Sequence, residues 1–362
     1  MECSFFAPTK VIIGDNCIGI HSGLLAGLGK KAFIVTSPSS AKNGSLADLT
    51  GAMEREGIAY AVYAKTPQNP DLNSVGEMGR EAGTFGCDFV IGLGGGSAMD
   101  AAKAVAVLAA NGMEAEGVYE QPWKNKPLPV VEVPTTCGTG SEVTAVSVLT
   151  YGDTKKSFKS EDVIPKIAFL DARYLESLPQ SITADTAVDA LSHAAEGYLM
   201  ADNWISDMFA ERVFEFFGLC KQSLLSGKYT HEIRERMLFM AMLAGHAINI
   251  TGTSAVHAMG YPITTLRNVP HGRACGILLG EYVEFSYSAR EEKINKMLSL
   301  LGRSGTEDFK KLLSGLLGEK ERYTAGELEK YTDISLKAAT GRANPVKMER
   351  KDVLDLYIKS LM

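Results

Sequence analysis

Residues 87–110 read CDFVIGLGGGSAMDAAKAVAVLAA. A short apolar run with strand character enters Gly94-Gly95-Gly96-Ser97 and leaves at once as an alanine-rich segment with helical periodicity. Strand, glycine turn and helix in that order are half of a parallel crossover unit. Glycines let a backbone approach a phosphate closely, and the free N–H groups and positive dipole end at a helix start favour an anion, so a pyrophosphate fits this turn. The spacing matches neither G-x-G-x-x-G nor G-x-x-x-x-G-K-[ST], and a tight strand-to-helix turn also recruits glycine for steric reasons alone.

The same alternation extends to both sides. KAFIVTS (31–37), NGSLADLTGAMEREG (43–57), AYAVYAK (59–65) and PDLNSVGEMGREAG (70–83) read as strand, helix, strand, helix, and PLPVVEVP (127–134) as a further strand. AVSVLT (145–150) and KIAFLDA (166–172) read as two more, with the lysine-rich YGDTKKSFKS between them. A mainly parallel, Rossmann-like sheet follows for residues 1–180. From 181 to 362 the periodicity is helical almost throughout, as in TADTAVDALSHAAEGYLM (183–200), so the second domain is expected to be all-α.

A second polar loop lies at a strand end. After PVVEV come Pro134-Thr135-Thr136-Cys137-Gly138-Thr139-Gly140-Ser141-Glu142. Ligands of open α/β sheets bind outside the carboxyl ends of the strands, where both loops belong.

The chain has 362 residues, a formal charge of −6 and 45% hydrophobic residues, with acidic and basic side chains interspersed. No basic stripe is present to neutralise a nucleic acid backbone. No stretch approaches the roughly 18 apolar residues of a membrane span, and the first residues lack a charged segment leading into an apolar one. These features predict a soluble, cytoplasmic protein. Six scattered cysteines, Cys3, Cys17, Cys87, Cys137, Cys220 and Cys275, form no C-x-x-C pair and read as reduced thiols packed as small hydrophobes.

In residues 183–200, Thr183 is the expected N-cap, and Val188, Leu191, Ala195 and Leu199 form an apolar stripe. Asp189, His193 and Glu196 fall on another face at i, i+4 and i+7. Such an Asp–His pair can chelate one cation, or make an ordinary surface hydrogen bond. His257 is expected near the end of a later helix stopped by Gly260 and Pro262, and His271 at the start of the next. One carboxylate and three imidazoles suit Fe(II) or Zn(II) better than the all-oxygen preference of Mg(II) or Ca(II). Glu196 reads as a solvated carboxylate or one supporting a ligand; His21, His231 and His246 read as surface or core residues.

The ordered set GGGSAMD, PTTCGTGSE, VDALSHAAEGY and VHAMGYP followed by VPHG resembles the iron-containing, group III alcohol dehydrogenases over essentially the whole chain. That resemblance implies a nucleotide-binding domain and a helical catalytic domain of dehydroquinate synthase-like architecture. It implies metal ligands at Asp189, His193, His257 and His271, and pyrophosphate-loop positions at Gly95, Gly96, Ser97 and Asp100, beside Gly94 of the same glycine turn. Asn69, Thr135, Thr136, Thr139 and Leu178 match further cofactor positions. The implied reaction is hydride transfer between a nicotinamide and a small primary alcohol, diol or aldehyde, in a homodimer. Alternatives are a glycerol or polyol dehydrogenase of the same superfamily, a metal-dependent phosphoesterase, or a non-catalytic NADP(H)-binding sensor.

Two positions depart from the pattern. Tyr261 stands where many members have a histidine assigned to proton transfer, and Ala187 where glycine is more frequent. A tyrosine is a poor base near neutral pH, so Tyr261 is expected to shape the pocket or donate a hydrogen bond. NAD-preferring members carry Asp after the first strand; here the position is Ser37, with Ser39, Ser40 and Lys42 nearby as donors. NADP(H) is therefore expected over NAD(H).

Overall fold

The computed structural model describes residues 5–319 and 321–362; Cys3 lies outside them. The chain divides into two units, one of residues 6–136 and 140–177, the other taking residues 137–139 and 178–362. The short Cys137–Thr139 piece of the threonine loop thus packs with the helical half, which a single cut near residue 180 does not anticipate.

The first unit carries eight strands: β1 (Lys10–Ile13), β2 (Lys31–Thr36), β3 (Ala59–Tyr63), β4 (Phe89–Gly94), β5 (Val130–Pro134), β6 (Val146–Tyr151), β7 (Thr154–Lys159) and β8 (Ile167–Leu170). Six of them form one parallel sheet in the order β1-β8-β5-β4-β2-β3. Its helices are α1 (Cys17–Ile20), α2 (Gly23–Ala26), α3 (Pro38–Lys42), α4 (Ser45–Arg55), α5 (Leu72–Phe85) and α6 (Gly96–Asn111).

Strand alternation sets the two sides of this sheet. Along β2, Phe33 and Val35 join one buried cluster, with Val75, Met78 and Val105, while Ala32 and Ile34 join the other, with Leu49 and Met53. Both faces are apolar because helices cover both.

The lysine-rich segment contradicts its reading as a connection. Thr154–Lys159 is a strand, paired antiparallel with β6 as a separate hairpin. Gly152, at φ +59°, opens the two-residue turn between Tyr151 and Thr154, and such turns need a positive φ there. Exposed lysines hid the strand, since a two-stranded ribbon with one solvated edge does not need an apolar run.

The helical unit runs α7 (Gln180–Met200), α8 (Trp204–Ser226), α9 (His231–Thr251), α10 (Ala255–Arg267), α11 (His271–Leu301), α12 (Thr306–Leu317), α13 (Ala325–Gly341) and α14 (Arg350–Leu361). Helix α7 packs against α8, α9, α11 and α12 and is buried on every side from Thr183 to Leu199 apart from half-buried Thr186, so its polar face is interior. Thr183 is not its N-cap. The helix starts three residues earlier, after Pro179, and the Thr183 hydroxyl donates back to the Pro179 carbonyl at 3.0 Å.

Candidate active site

His257 occupies the first turn of α10, not a helix end as Gly260 and Pro262 suggested. The helix continues through Pro262 to Arg267; proline removes only one ladder donor, and the buried apolar surface of Val256, Met259 and Ile263 keeps both halves packed. The α10 N-cap, Ser254, makes no hydrogen bond from its side chain to its own helix. Glu196 of α7 takes that role: its Oε1 accepts from Ser254 N (2.9 Å), Ser254 Oγ (2.7 Å) and His257 N (3.2 Å). A carboxylate at a helix start is electrostatically favoured.

The other oxygen of Glu196 makes a short contact with His257 Nδ1. Nδ1–H donates to the carboxylate, which fixes the ring orientation and makes Nε2 the atom able to exchange its proton for a metal. Burial alone would raise the Glu196 pKa, but His257 and the donors from Ser254 hold it below the usual carboxylate value. Glu196 is fully buried, so the solvated alternative is wrong. The i+7 spacing could not reveal this, because it depends on a partner helix.

Among the described residues neither His257 Nε2 nor Asp189 Oδ1 has a hydrogen-bond partner, and both are buried. They lie 3.8 Å apart, and Asp189 Oδ1 is 4.0 Å from His271 Nε2. These separations are too long for hydrogen bonds and fit two donors reaching one ion at about 2.0–2.2 Å each. Ligand atoms of Asp189, His257, His271 and Cys275 all fall within 4.8 Å of one another. Burial lowers the His257 pKa, but Cys275 and Glu196 outweigh it and raise it well above the ordinary value. Surroundings that retain a proton in this way also favour a bound cation.

His193 stands apart from that group. Its ring stacks on His257 with centroids 4.4 Å apart and planes 15° apart, and its Nδ1 is buried without a partner. Burial lowers its pKa to about 4, which keeps the imidazole neutral. The structure thus brings together three of the four expected ligands and adds Cys275, whose residue type alone reads as a packed thiol. The signal was present: Cys275 follows His271 by four residues, the same helical spacing that flagged Asp189 and His193.

Close packing places these groups. A Cβ on Gly272 would sit 2.0 Å from Asp185 O and 2.8 Å from Asp189 Cβ, so only glycine lets α11 start against α7 with His271 beside Asp189. Tyr261, 9% exposed, stacks on His271 at 5.7 Å and 21°, and the Arg342 guanidinium lies 5.7 Å from its ring.

In the first unit, the strand order reverses direction between β2 and β4, whose carboxyl ends carry Ser37 and the glycine turn. Gly94 has φ +150°, in the region that favours glycine, and a Cβ on Gly95 would press on Thr136 at 3.2 Å. Helix α6 begins at Gly96 with no acidic residue in its first turn, which leaves its dipole end open to an anion. Ser97 Oγ accepts from Asn69 N (3.1 Å), and Thr135 N donates to Gly94 O (2.9 Å). Gly94, Gly95, Gly96, Ser97, Asn69, Thr135 and Thr136 therefore form one cradle. Thr139 and Leu178 belong to the helical unit.

Two expected cofactor residues already hold internal hydrogen bonds. Asp100 accepts from Ser141 Oγ (2.7 Å) and Val148 N (3.0 Å), so it ties the threonine loop and β6 to α6. Ser40 is fully buried and bonded to Thr36 Oγ1 (2.5 Å) and Ser37 O (2.8 Å), which removes it as a surface donor. Ser37 and exposed Ser39 pair with each other at 2.7 Å.

A parallel α/β unit with a glycine turn at its switch point, followed by an all-α unit with buried metal-type donors, is the build of a metal-dependent, nucleotide-linked enzyme. The chain belongs to the iron-containing alcohol dehydrogenase family, which matches residues 8–172, with the Fe-containing alcohol dehydrogenase C-terminal family matching residues 183–361. It is similar to the sulfoacetaldehyde reductase of Bilophila wadsworthia, 36% identical over 298 residues covering 80% of this chain and 76% of that one. The NAD-dependent methanol dehydrogenase of Bacillus methanolicus is 29% identical over 306 residues, 83% of this chain and 80% of that one. The crystal structure of an iron-containing alcohol dehydrogenase from Thermotoga maritima superposes with a TM-score of 0.92 at 35% identity, covering 99% of both chains. The activity is accordingly that of an alcohol dehydrogenase or aldehyde reductase, not of a phosphoesterase or a sensor. No helix among the described residues is long and apolar enough to cross a membrane.

Proposed function

We propose that the helical unit holds a divalent ion, Fe(II) or Zn(II), through Asp189, His257 and His271, with His193 as the further donor that the family pattern names, and that small aldehydes are reduced there with NADPH. The observation carrying this reading is the pair of buried atoms Asp189 Oδ1 and His257 Nε2, without a hydrogen-bond partner among the described residues, the latter oriented by Glu196. Lewis-acid polarisation of the substrate oxygen is the chemistry that such an ion supplies when bound. Glu196 holds the His257 ring in one orientation, and Gly272 sets His271 against Asp189. Tyr261 forms a flat wall beside His271 that orients a small substrate and excludes water. Tyr261 is not assigned the proton transfer, since a tyrosine is an inefficient base at neutral pH; a bound nicotinamide would supply the hydride.

In the first unit, the backbone of Gly94–Ser97 receives the pyrophosphate. The end of β2 presents Ser37 and Ser39 where a carboxylate would repel a 2′-phosphate, and this supports NADP(H). The Bacillus methanolicus relative is named NAD-dependent, so the two cofactors are the natural contrast. The test is kcat/KM for NADPH and NADH oxidation with two- to four-carbon aldehydes, about the size range of a small-aldehyde pocket. A preference for NADPH supports the reading; a clear preference for NADH contradicts the cofactor assignment.

A further inference from the structure

We propose that Cys275 is a ligand of the metal, bound as its thiolate, so that the site joins carboxylate, imidazole and sulfur donors. The inference rests on the metal-site reading above and extends it to a residue that the family pattern leaves out.

Cys275 lies one helical turn after His271 on α11, fully buried, with Sγ 3.8 Å from His271 Nε2 and 4.0 Å from His271 Nδ1. A metal with an Sγ bond of about 2.3 Å and a nitrogen bond of about 2.0–2.1 Å spans 3.8 Å with the two donors at an ordinary angle. Sγ also shares the mutual 4.8 Å spacing of Asp189, His257 and His271, which His193 does not. The second pointer is the pair of buried atoms Asp189 Oδ1 and His257 Nε2: they lie with Sγ in one cluster, and neither has a hydrogen-bond partner among the described residues. Gly260 of α10 leaves the thiol its room, because a Cβ there would lie 3.1 Å from Sγ. A structural thiol needs no such convergence of a carboxylate and two imidazoles on it.

Binding is a proton-for-metal exchange without redox change: the S–H bond breaks, the proton leaves to solvent, and the sulfur lone pair forms the bond to M(II). A thiolate donor softens the set and favours Zn(II) over Fe(II) relative to an all-nitrogen and oxygen site.

The test is X-ray absorption at the zinc edge on the full-length protein loaded with one equivalent of Zn(II), supported by the near-ultraviolet absorption of the Co(II) form. The account expects one sulfur scatterer at about 2.3 Å and a sulfur-to-cobalt charge-transfer band, both lost in Cys275→Ser, with Cys275→Ala as the second variant should serine unsettle the packing. Wild-type protein that binds the ion through nitrogen and oxygen alone, at about 2.0–2.1 Å, overturns the proposal and leaves the metal-site reading standing. Wild-type protein that retains no ion overturns both.

Discussion

Glu196 on α7 accepts the Nδ1–H of His257 on α10 with one carboxylate oxygen and caps the start of α10 with the other. One buried side chain therefore orients a candidate metal ligand and anchors the helix that delivers it. Its removal is expected to affect two separable quantities.

Glu196→Gln keeps the shape but loses the charge and the acceptor geometry toward His257. Metal affinity is expected to fall roughly 10–100-fold, as for other residues that orient a ligating histidine. Stability should drop by about 1–3 kcal/mol, since the Ser254 and His257 donors are left poorly matched in a dry site. Competition with a chromophoric chelator reads the first effect and denaturant melting the second. Unchanged affinity would show that the pair is structural only.

Tyr261→Phe keeps the ring that stacks on His271 and deletes the hydroxyl. Turnover with a short aldehyde is expected to stay within about tenfold of the parent, because ring shape persists and the proton takes another route. A loss beyond about a hundredfold, the scale of acid–base catalysis, would assign the proton transfer to the tyrosine itself.

A buried charge cluster in the first unit predicts how stability depends on pH. Lys103 donates to Ser141 O (2.7 Å), Ser141 Oγ (2.8 Å) and Val146 O (3.0 Å), and sits 3.9 Å from Glu132, too far for a hydrogen bond. Among the described residues neither buried Glu132 oxygen has a hydrogen-bond partner, and burial is the chief cause that pushes its pKa to about 8, against the opposing pull of Lys103. The folded state thus holds a proton that the unfolded chain, with a pKa near 4.5, releases. Its contribution is fully present below the unfolded value and is lost as pH rises through about 8. Glu132→Gln should melt close to the parent at about pH 5 and exceed its stability by at least about 1 kcal/mol at about pH 9. Parallel stability profiles for the two proteins would mean that Lys103 fully compensates the charge.

The sequence was most readable where local pattern and tertiary role coincide. The glycine turn after β4 and the alternating strands of the parallel sheet carry their own signals, because both sheet faces are buried and a parallel sheet needs crossover helices. Strand β7 was hidden by its lysines, and the α7 start by a threonine that resembles a cap but bonds back to Pro179. Within the site, helical spacing pairs Asp189 with His193, and residue type together with the family resemblance brings in His257 and His271. The capping of α10 by Glu196, the stacking of His193 on His257, the internal hydrogen bonds of Asp100 and Ser40 and the approach of Cys275 to the converging donors all depend on contacts between elements. No periodicity within one segment encodes such contacts.

Aldehyde reduction, on this reading, depends on an ion held by the α7, α10 and α11 side chains. Protein purified without oxygen, stripped with a strong chelator and assayed for aldehyde-dependent NADPH oxidation tests it most directly. The account predicts that activity disappears with the metal and returns on adding one equivalent of Fe(II) or Zn(II), and that His257→Ala does not recover. Undiminished turnover in protein shown to be metal-free would contradict it.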